Sequence, residues 1–240
     1  MAESKSSDAA DPVASKSMML DGRVAIVTGG TGGIGSAVSK HLASLGARVA
    51  VAYIGDPSPA LELVNDINST HSSESQPQPR AIAVQANVSD ASQTSEATYD
   101  ATFGTNARGT FLCCREAANR LVRDGRGRIV TFSSSGVGSL RVGYSAYAAS
   151  KAAVEVMTKI LARELRGTGI TANAVAPGST ASPMFYTGKT KEEAARYIAE
   201  APLGRLGMPE DIAPLVGFLA SDAGHWVNAR SFAATVAPSS

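Results

Sequence analysis

The chain has 240 residues, of which 44% are hydrophobic and 18% charged, enough to build one packed domain and unlike a disordered polypeptide. Its 22 Lys and Arg against 21 Asp and Glu leave a net charge of +1, which excludes the basic footprint of a nucleic-acid or anionic-membrane binder. The two cysteines, Cys113 and Cys114, are neighbours in sequence, so they cannot frame a disulfide-built secreted domain.

Residues 1–18 are rich in Ser, Ala, Asp and Lys and show no apolar periodicity, which predicts a disordered tail ahead of a single domain over 19–240. The tail lacks the apolar stretch of a secretory signal. It also lacks Arg and carries Glu3, Asp8 and Asp11, unlike a typical transit peptide. A cytoplasmic location is therefore expected, with the chloroplast as the alternative.

From Leu20 the chain alternates between two periods. Val24 to Val27 is a β-rich apolar run, followed by a glycine-rich turn and a helical stretch from Ile34 to Leu45 that Gly46 ends. Arg48 to Tyr53 predicts a second strand, Ala60 to Asn68 a helix, Thr70 to Pro79 a loop, and Ala81 to Gln85 a third strand. A helix is expected around Gly109 to Val122, a strand over Arg128 to Phe132 and a long helix from Ala148 to Leu165. A strand over Thr171 to Val175 and helices over Glu192 to Glu200 and Pro209 to Leu219 complete the series. Strands alternating with helices of this length imply βαβ units and a parallel sheet covered on both faces, an α/β doubly wound domain of the Rossmann type.

The first strand runs into Thr28-Gly29-Gly30-Thr31-Gly32-Gly33-Ile34-Gly35. Glycines there allow a tight turn, close approach of backbone to a pyrophosphate, and close helix–strand packing, while the helix N-terminus offers free N–H groups. Further on, Tyr147-Ala148-Ala149-Ser150-Lys151 sets a phenol and an ammonium four residues apart on one helix face. A nearby cation stabilises a phenolate and brings an acid of pKa about 10 toward neutral pH. Ser134 follows the strand Arg128–Phe132 at its carboxyl end, where open parallel sheets bind ligands. Ser133 and Ser135 flank it, and a one-residue shift among the three is left open.

With TGxxxGxG, this serine and YxxxK in this order, the chain resembles the short-chain dehydrogenase/reductase family from Leu20 to about Asn228, most of all its plant aldehyde-reductase-like members. The resemblance implies hydride transfer between NADP or NAD and a small carbonyl or alcohol substrate. It implies Tyr147 as proton donor, Ser134 orienting the carbonyl, and Lys151 lowering the Tyr147 pKa and holding the nicotinamide ribose. Asn106, in Asn106-Ala107-Arg108-Gly109, would hold a water that links Lys151 to solvent. For the cofactor it implies Thr28, Gly29, Gly33, Ile34, Gly35, Tyr53, Asn87, Pro177, Gly178, Thr180 and Ser182, besides Tyr147 and Lys151. No acid stands at Tyr53 to bind ribose hydroxyls, and the nearest is Asp56, which favours NADP over NAD. No Arg or Lys sits in the glycine loop either; Gly32 takes that position. A homodimer or homotetramer is implied by the same likeness. No metal site is expected, since His41, His71 and His225 share no ligand spacing.

One departure bears on activity. Only 17 residues separate Val88 from Asn106, where the family places a helix, a strand and an Asn-Asn-Ala-Gly turn. A parallel crossover alone takes about a dozen residues. The usual fourth strand is thus expected to be missing, with the flanking strands either closed together or left apart. The alternative to a working reductase is a relative that keeps cofactor or partner binding but turns over poorly. A second departure is the C-terminus, where Phe232 to Val236 is the expected strand.

Overall fold

A computed structural model describes residues 19–71, 79–86, 95–187 and 189–234. The tail 1–18, part of the predicted loop Thr70 to Pro79, Asn87, and Thr235 and Val236 of the expected last strand lie outside the described residues.

Strand β1 (Val24–Thr28) leads through the glycine loop into helix α1 (Gly33–Ser44). Strand β2 (Arg48–Tyr53), helix α2 (Ser58–His71) and strand β3 (Ala81–Gln85) follow as the sequence predicts. The next helical run starts earlier than its apolar pattern implied: α3 (Ser95–Phe103), a π-helical turn (Gly104–Gly109) and α4 (Thr110–Arg120) are continuous. Strand β4 (Arg128–Phe132) is followed by the short α5 (Gly136–Ser139) and by α6 (Ser145–Glu164). Strand β5 (Thr171–Pro177), helices α7 (Pro183–Tyr186), α8 (Lys191–Glu200) and α9 (Pro209–Ala220), and strand β6 (Ser231–Ala234) end the fold.

All strand pairs are parallel, but they form two sheets of three, ordered β1-β2-β3 and β4-β5-β6. Among the described residues no strand lies between β3 and β4 in the chain, and β1 does not pair with β4. The missing strand therefore leaves a gap, and the flanking strands have not closed together.

Helix α9 braces the two halves. It packs on α1 and reaches β4 and β5, and its Ile212, Ala213, Val216 and Leu219 share one buried core with Val38 and Leu42 of α1, Val49 and Val51 of β2, and Val175 of β5. At the base, the Arg23 guanidinium before β1 donates to the Arg126 carbonyl before β4 and pairs with Asp222. Asn173, fully buried in β5, donates to the Val227 carbonyl and accepts from the Arg230 N–H, which fixes the approach to β6. A buried amide with both ends bonded offsets its desolvation cost.

Candidate functional site

The glycine loop has the backbone its residues require. Gly29 adopts φ +62°, the left-handed region that glycine enters without strain. A Cβ on Gly35 would stand 2.2 Å from the Gly29 carbonyl oxygen, so only glycine lets the loop fold onto the first turn of α1. That turn has no acidic side chain, and the positive end of the helix dipole lies there. Ile34 packs against the buried core beneath it. Such a cradle fits a pyrophosphate.

The Pro-Gly turn comes to the same place. Pro177 ends β5 and its carbonyl accepts from the Ser135 N–H at 3.0 Å, while the Gly178 N–H donates to the Ala234 carbonyl at 2.8 Å. Thr180 is buried, donates to the Gly178 carbonyl at 3.0 Å and pairs with Gly207. Ser182 caps α7 by accepting from the Phe185 N–H at 3.2 Å. Its Cβ lies 3.1 Å from where a Cβ on Gly33 would stand, so the turn and the glycine loop touch.

Tyr53 ends β2 opposite Gln85. Asp56 is taken up by helix α2: its carboxylate accepts from the Ser58 N–H and hydroxyl, both at 2.9 Å, and these bonds hold its pKa below the usual carboxylate range. Thr28 closes β1 and is exposed.

Ser134, Tyr147 and Lys151 converge at the carboxyl end of β4. Ser133 is tied to α6, with its hydroxyl 2.8 Å from Glu155 Oε1 and 3.2 Å from the Lys151 carbonyl. Ser134 differs: its Oγ accepts from the Gly136 N–H at 3.1 Å, which leaves its proton free to donate. A Cβ on Gly136 would stand 3.2 Å from Ser134 Oγ and 3.8 Å from Cε1 of the Tyr147 ring, so hydroxyl and ring both border this one glycine. The Lys151 ammonium lies 6.0 Å from the Tyr147 ring centre and donates to the Phe132 carbonyl at 3.0 Å. Burial lowers its pKa.

Asn106 sits in the π-helical turn. Its amide donates to Ser150 Oγ at 3.0 Å, and Ser150 donates to the Tyr147 carbonyl at 2.7 Å. The turn is thereby fastened to the helix that carries Tyr147. Sequence reading found Asn106 but not the π turn, nor Glu155 as partner of Ser133, nor the contact of Tyr144 with Tyr147 described below. Among the described residues no group of three His, Cys, Asp or Glu side chains could hold a metal ion.

Residues 23–101 match the short chain dehydrogenase family, and residues 79–234 match the enoyl-(acyl carrier protein) reductase family, a second division of the same enzymes. The chain belongs to the short-chain dehydrogenase/reductase family. It is thus an oxidoreductase of the hydride-transfer type. Among curated relatives, the chloroplastic NADPH-dependent aldehyde reductase-like protein of Arabidopsis thaliana is 47% identical over 88% of this chain and 92% of its own. The short-chain type dehydrogenase/reductase of Picea abies is 44% identical over 88% and 90%. A dehydrogenase/reductase from Sinorhizobium meliloti superposes with a TM-score of 0.77 at 32% identity, covering 90% of this chain and 95% of that one. A blue fluorescent protein from a metagenomic library, solved with NADPH, gives 0.80 at 30%, covering 91% and 98%. The Arabidopsis match extends over 248 residues, more than this whole chain, so that short-chain reductase carries residues with no counterpart here.

Proposed function

We propose that this chain reduces aldehydes or ketones with NADPH through Ser134, Tyr147 and Lys151. The observation that carries the reading is that Ser134 Oγ and the Tyr147 ring border the same glycine, Gly136, with the Lys151 ammonium 6.0 Å from that ring. Tyr147 is partly exposed, so a substrate can reach it. In this reading Ser134 donates a hydrogen bond to the carbonyl oxygen and orients it. Tyr147 gives that oxygen its proton, and Lys151 stabilises the phenolate left behind. The dinucleotide, when bound, supplies the hydride.

Its pyrophosphate would rest on Gly29, Gly33, Ile34 and Gly35 beside Thr28, and the nicotinamide end would face Pro177, Gly178, Thr180 and Ser182. The absence of an acid at Tyr53, with Asp56 committed to capping α2, supports NADP over NAD. Two Arabidopsis relatives are named as NADPH-dependent and chloroplastic, which supports the same cofactor and favours the chloroplast over the cytoplasm. Among the described residues no helix is long and apolar enough to cross a membrane. Phe111 of α4 and Val156 and Ile160 of α6 are exposed apolar side chains on adjacent helices, which supports a homodimer or homotetramer of 19–240 domains.

The test is Tyr147→Phe. Loss of a general acid lowers turnover by about 10²–10⁴-fold while NADPH binding persists. Near-normal turnover in the variant removes Tyr147 from the mechanism. Titration of nicotinamide fluorescence should give tighter NADPH than NADH binding, reversed by Tyr53→Asp; NADPH binding without turnover in the unmutated chain would favour the impaired relative instead.

A further inference from the structure

Of the 13 aromatic side chains, five form one arc beside the candidate site. Tyr147 meets Tyr144 edge to face, with ring centres 6.2 Å apart. The Tyr144 hydroxyl lies 3.2 Å from the Tyr197 hydroxyl, Tyr197 meets Phe185 edge to face at 5.3 Å, and Phe185 meets Tyr186 at 5.1 Å. The arc thus runs from Tyr147 through Tyr197 of α8 to Phe185 and Tyr186 of α7.

Helix α8 has a full capping box, Thr190 with Glu193, yet none of its residues is buried. Local propensity makes it a helix, but no apolar face fixes it to the domain. The side-chain contacts described for it fall on Tyr197 and Glu200. The Arg141 guanidinium lies over the Tyr197 ring, 4.1 Å from its centre, and pairs with Glu200. The Lys189 ammonium sits 5.7 Å from the same ring and 5.0 Å from that of Phe185. Arg141 therefore engages two α8 residues three apart, on one helix face. The residue before it, Leu140, adopts φ +48°, a left-handed backbone that a leucine rarely takes, and its own side chain is exposed. This left-handed residue ends α5, its N–H donating to the Gly136 carbonyl, and Arg141 follows it directly.

We propose that Arg141 is a positioning residue that latches α8 over Tyr147, and that the carbonyl-substrate pocket is complete only while the Arg141–Tyr197–Glu200 contact is made. Arg141 touches neither the reacting carbonyl nor the cofactor; it acts through Tyr197 and Tyr144. The planar guanidinium lies against the Tyr197 ring while also pairing with Glu200, a two-sided contact that a point-charge ammonium reproduces only in part. The proposal rests on Tyr147 being the proton donor only for its effect on catalysis.

Two measurements on the full chain test it. Trypsin has sites at Lys189, Lys191 and Arg196, on and just before α8. Arg141→Ala should speed cleavage there by about twofold to fivefold, the worth of a partly exposed cation–π contact. The carbonyl KM should rise by a similar factor, with kcat and the NADPH Kd changed by less than about twofold. Arg141→Lys should restore less than half of either effect. Tyr197→Leu gives the same test from the α8 side if Arg141→Ala does not melt cooperatively. Unchanged cleavage in both variants overturns the latch, and so does a kcat loss at constant KM, which would move Arg141 into the chemical step. Should Tyr147→Phe turn over normally, the proton-donor assignment fails while the cleavage rates still decide the latch.

Discussion

The two half-sheets are built from similar residues and end in different surroundings. Strand β5, Thr171-Ala172-Asn173-Ala174-Val175-Ala176-Pro177, is buried at every position, with α6 packed on it from one side and α9 reaching it as well. Strand β1, Val24-Ala25-Ile26-Val27-Thr28, buries only Val27 fully. Val24 and Ile26 are 63% and 74% exposed, and the register sets them on one face with Ala50, Ile82 and Val84, of which Ile82 and Val84 are 51% and 40% exposed. The opposite face, with Val27, Val49, Val51 and Ala81, belongs to the buried core beneath α1 and α2. A parallel sheet depends on cover from both faces and on a neighbour along each inner edge. The second half-sheet has its cover, and among the described residues the first has neither a partner beyond β1 nor a helix over Val24 and Ile26. The difference lies in the 17 residues between Val88 and Asn106, not in the strands themselves.

The largest expected effect comes from removing that difference. Replacing the short segment by the longer one of the relatives should supply a strand beside β1 and cover over Val24 and Ile26. With the gap open, no neighbouring strand among the described residues fixes β4 and Ser134 relative to the glycine loop, and misplacement by 1 Å can cost about 10²-fold in rate, so carbonyl-reductase turnover should rise by up to about that factor. Thermal melting should move upward in parallel. Equal turnover and melting in the short and long chains would show that the gap costs nothing.

A pair of truncations sharpens the comparison. Val175→Ala in β5 removes two buried methyl groups and should cost about 2 kcal/mol of unfolding free energy. Ile26→Ala in β1 removes more carbon from a largely exposed site and should stay within about 0.5 kcal/mol. Denaturant titration of both variants measures this. A larger loss at Ile26 than at Val175 would mean that the face of β1 is covered in solution.

The smallest effect concerns the brace. Asp211 caps α9 by accepting from the Met208 N–H at 2.7 Å and pairs with Arg205 at 2.6 Å. The Arg205 side-chain bond, then the Met208 backbone bond, bring its pKa down to about 2 from 3.8. A carboxylate with a lowered folded pKa stabilises above its unfolded value and loses that contribution as pH falls through the folded one. The melting temperature of the unmutated chain should therefore exceed that of Asp211→Asn above pH 4. The two should converge as pH drops toward 2, and a difference that persists there would separate the brace from this charge.

Much of the site was legible in the residues because its signals are local. Tyr147 and Lys151 share a helix face through their four-residue spacing, and the glycine loop needs glycine at 29 and 35 for backbone reasons alone. Ser134 stands with Ser133 and Ser135 at the carboxyl end of β4, and what separates the three is not local. It depends on Glu155 and the Lys151 carbonyl of α6 occupying the Ser133 hydroxyl. The helix from Ser95 was missed because its segment lacks an apolar stripe, and the π turn at Asn106 has no pattern of its own.

By itself the sequence determined the order of strands and helices, the glycine turn between β1 and α1, and the absence of chain for a fourth strand. Each follows from side-chain period, from backbone freedom at glycine, or from a count of residues. Only the tertiary structure decided that the gap stays open, with α9 bridging the two halves through one core. It alone brought Arg141 onto Tyr197, 56 positions away in the chain, because contacts between distant segments follow from packing that no local spacing encodes.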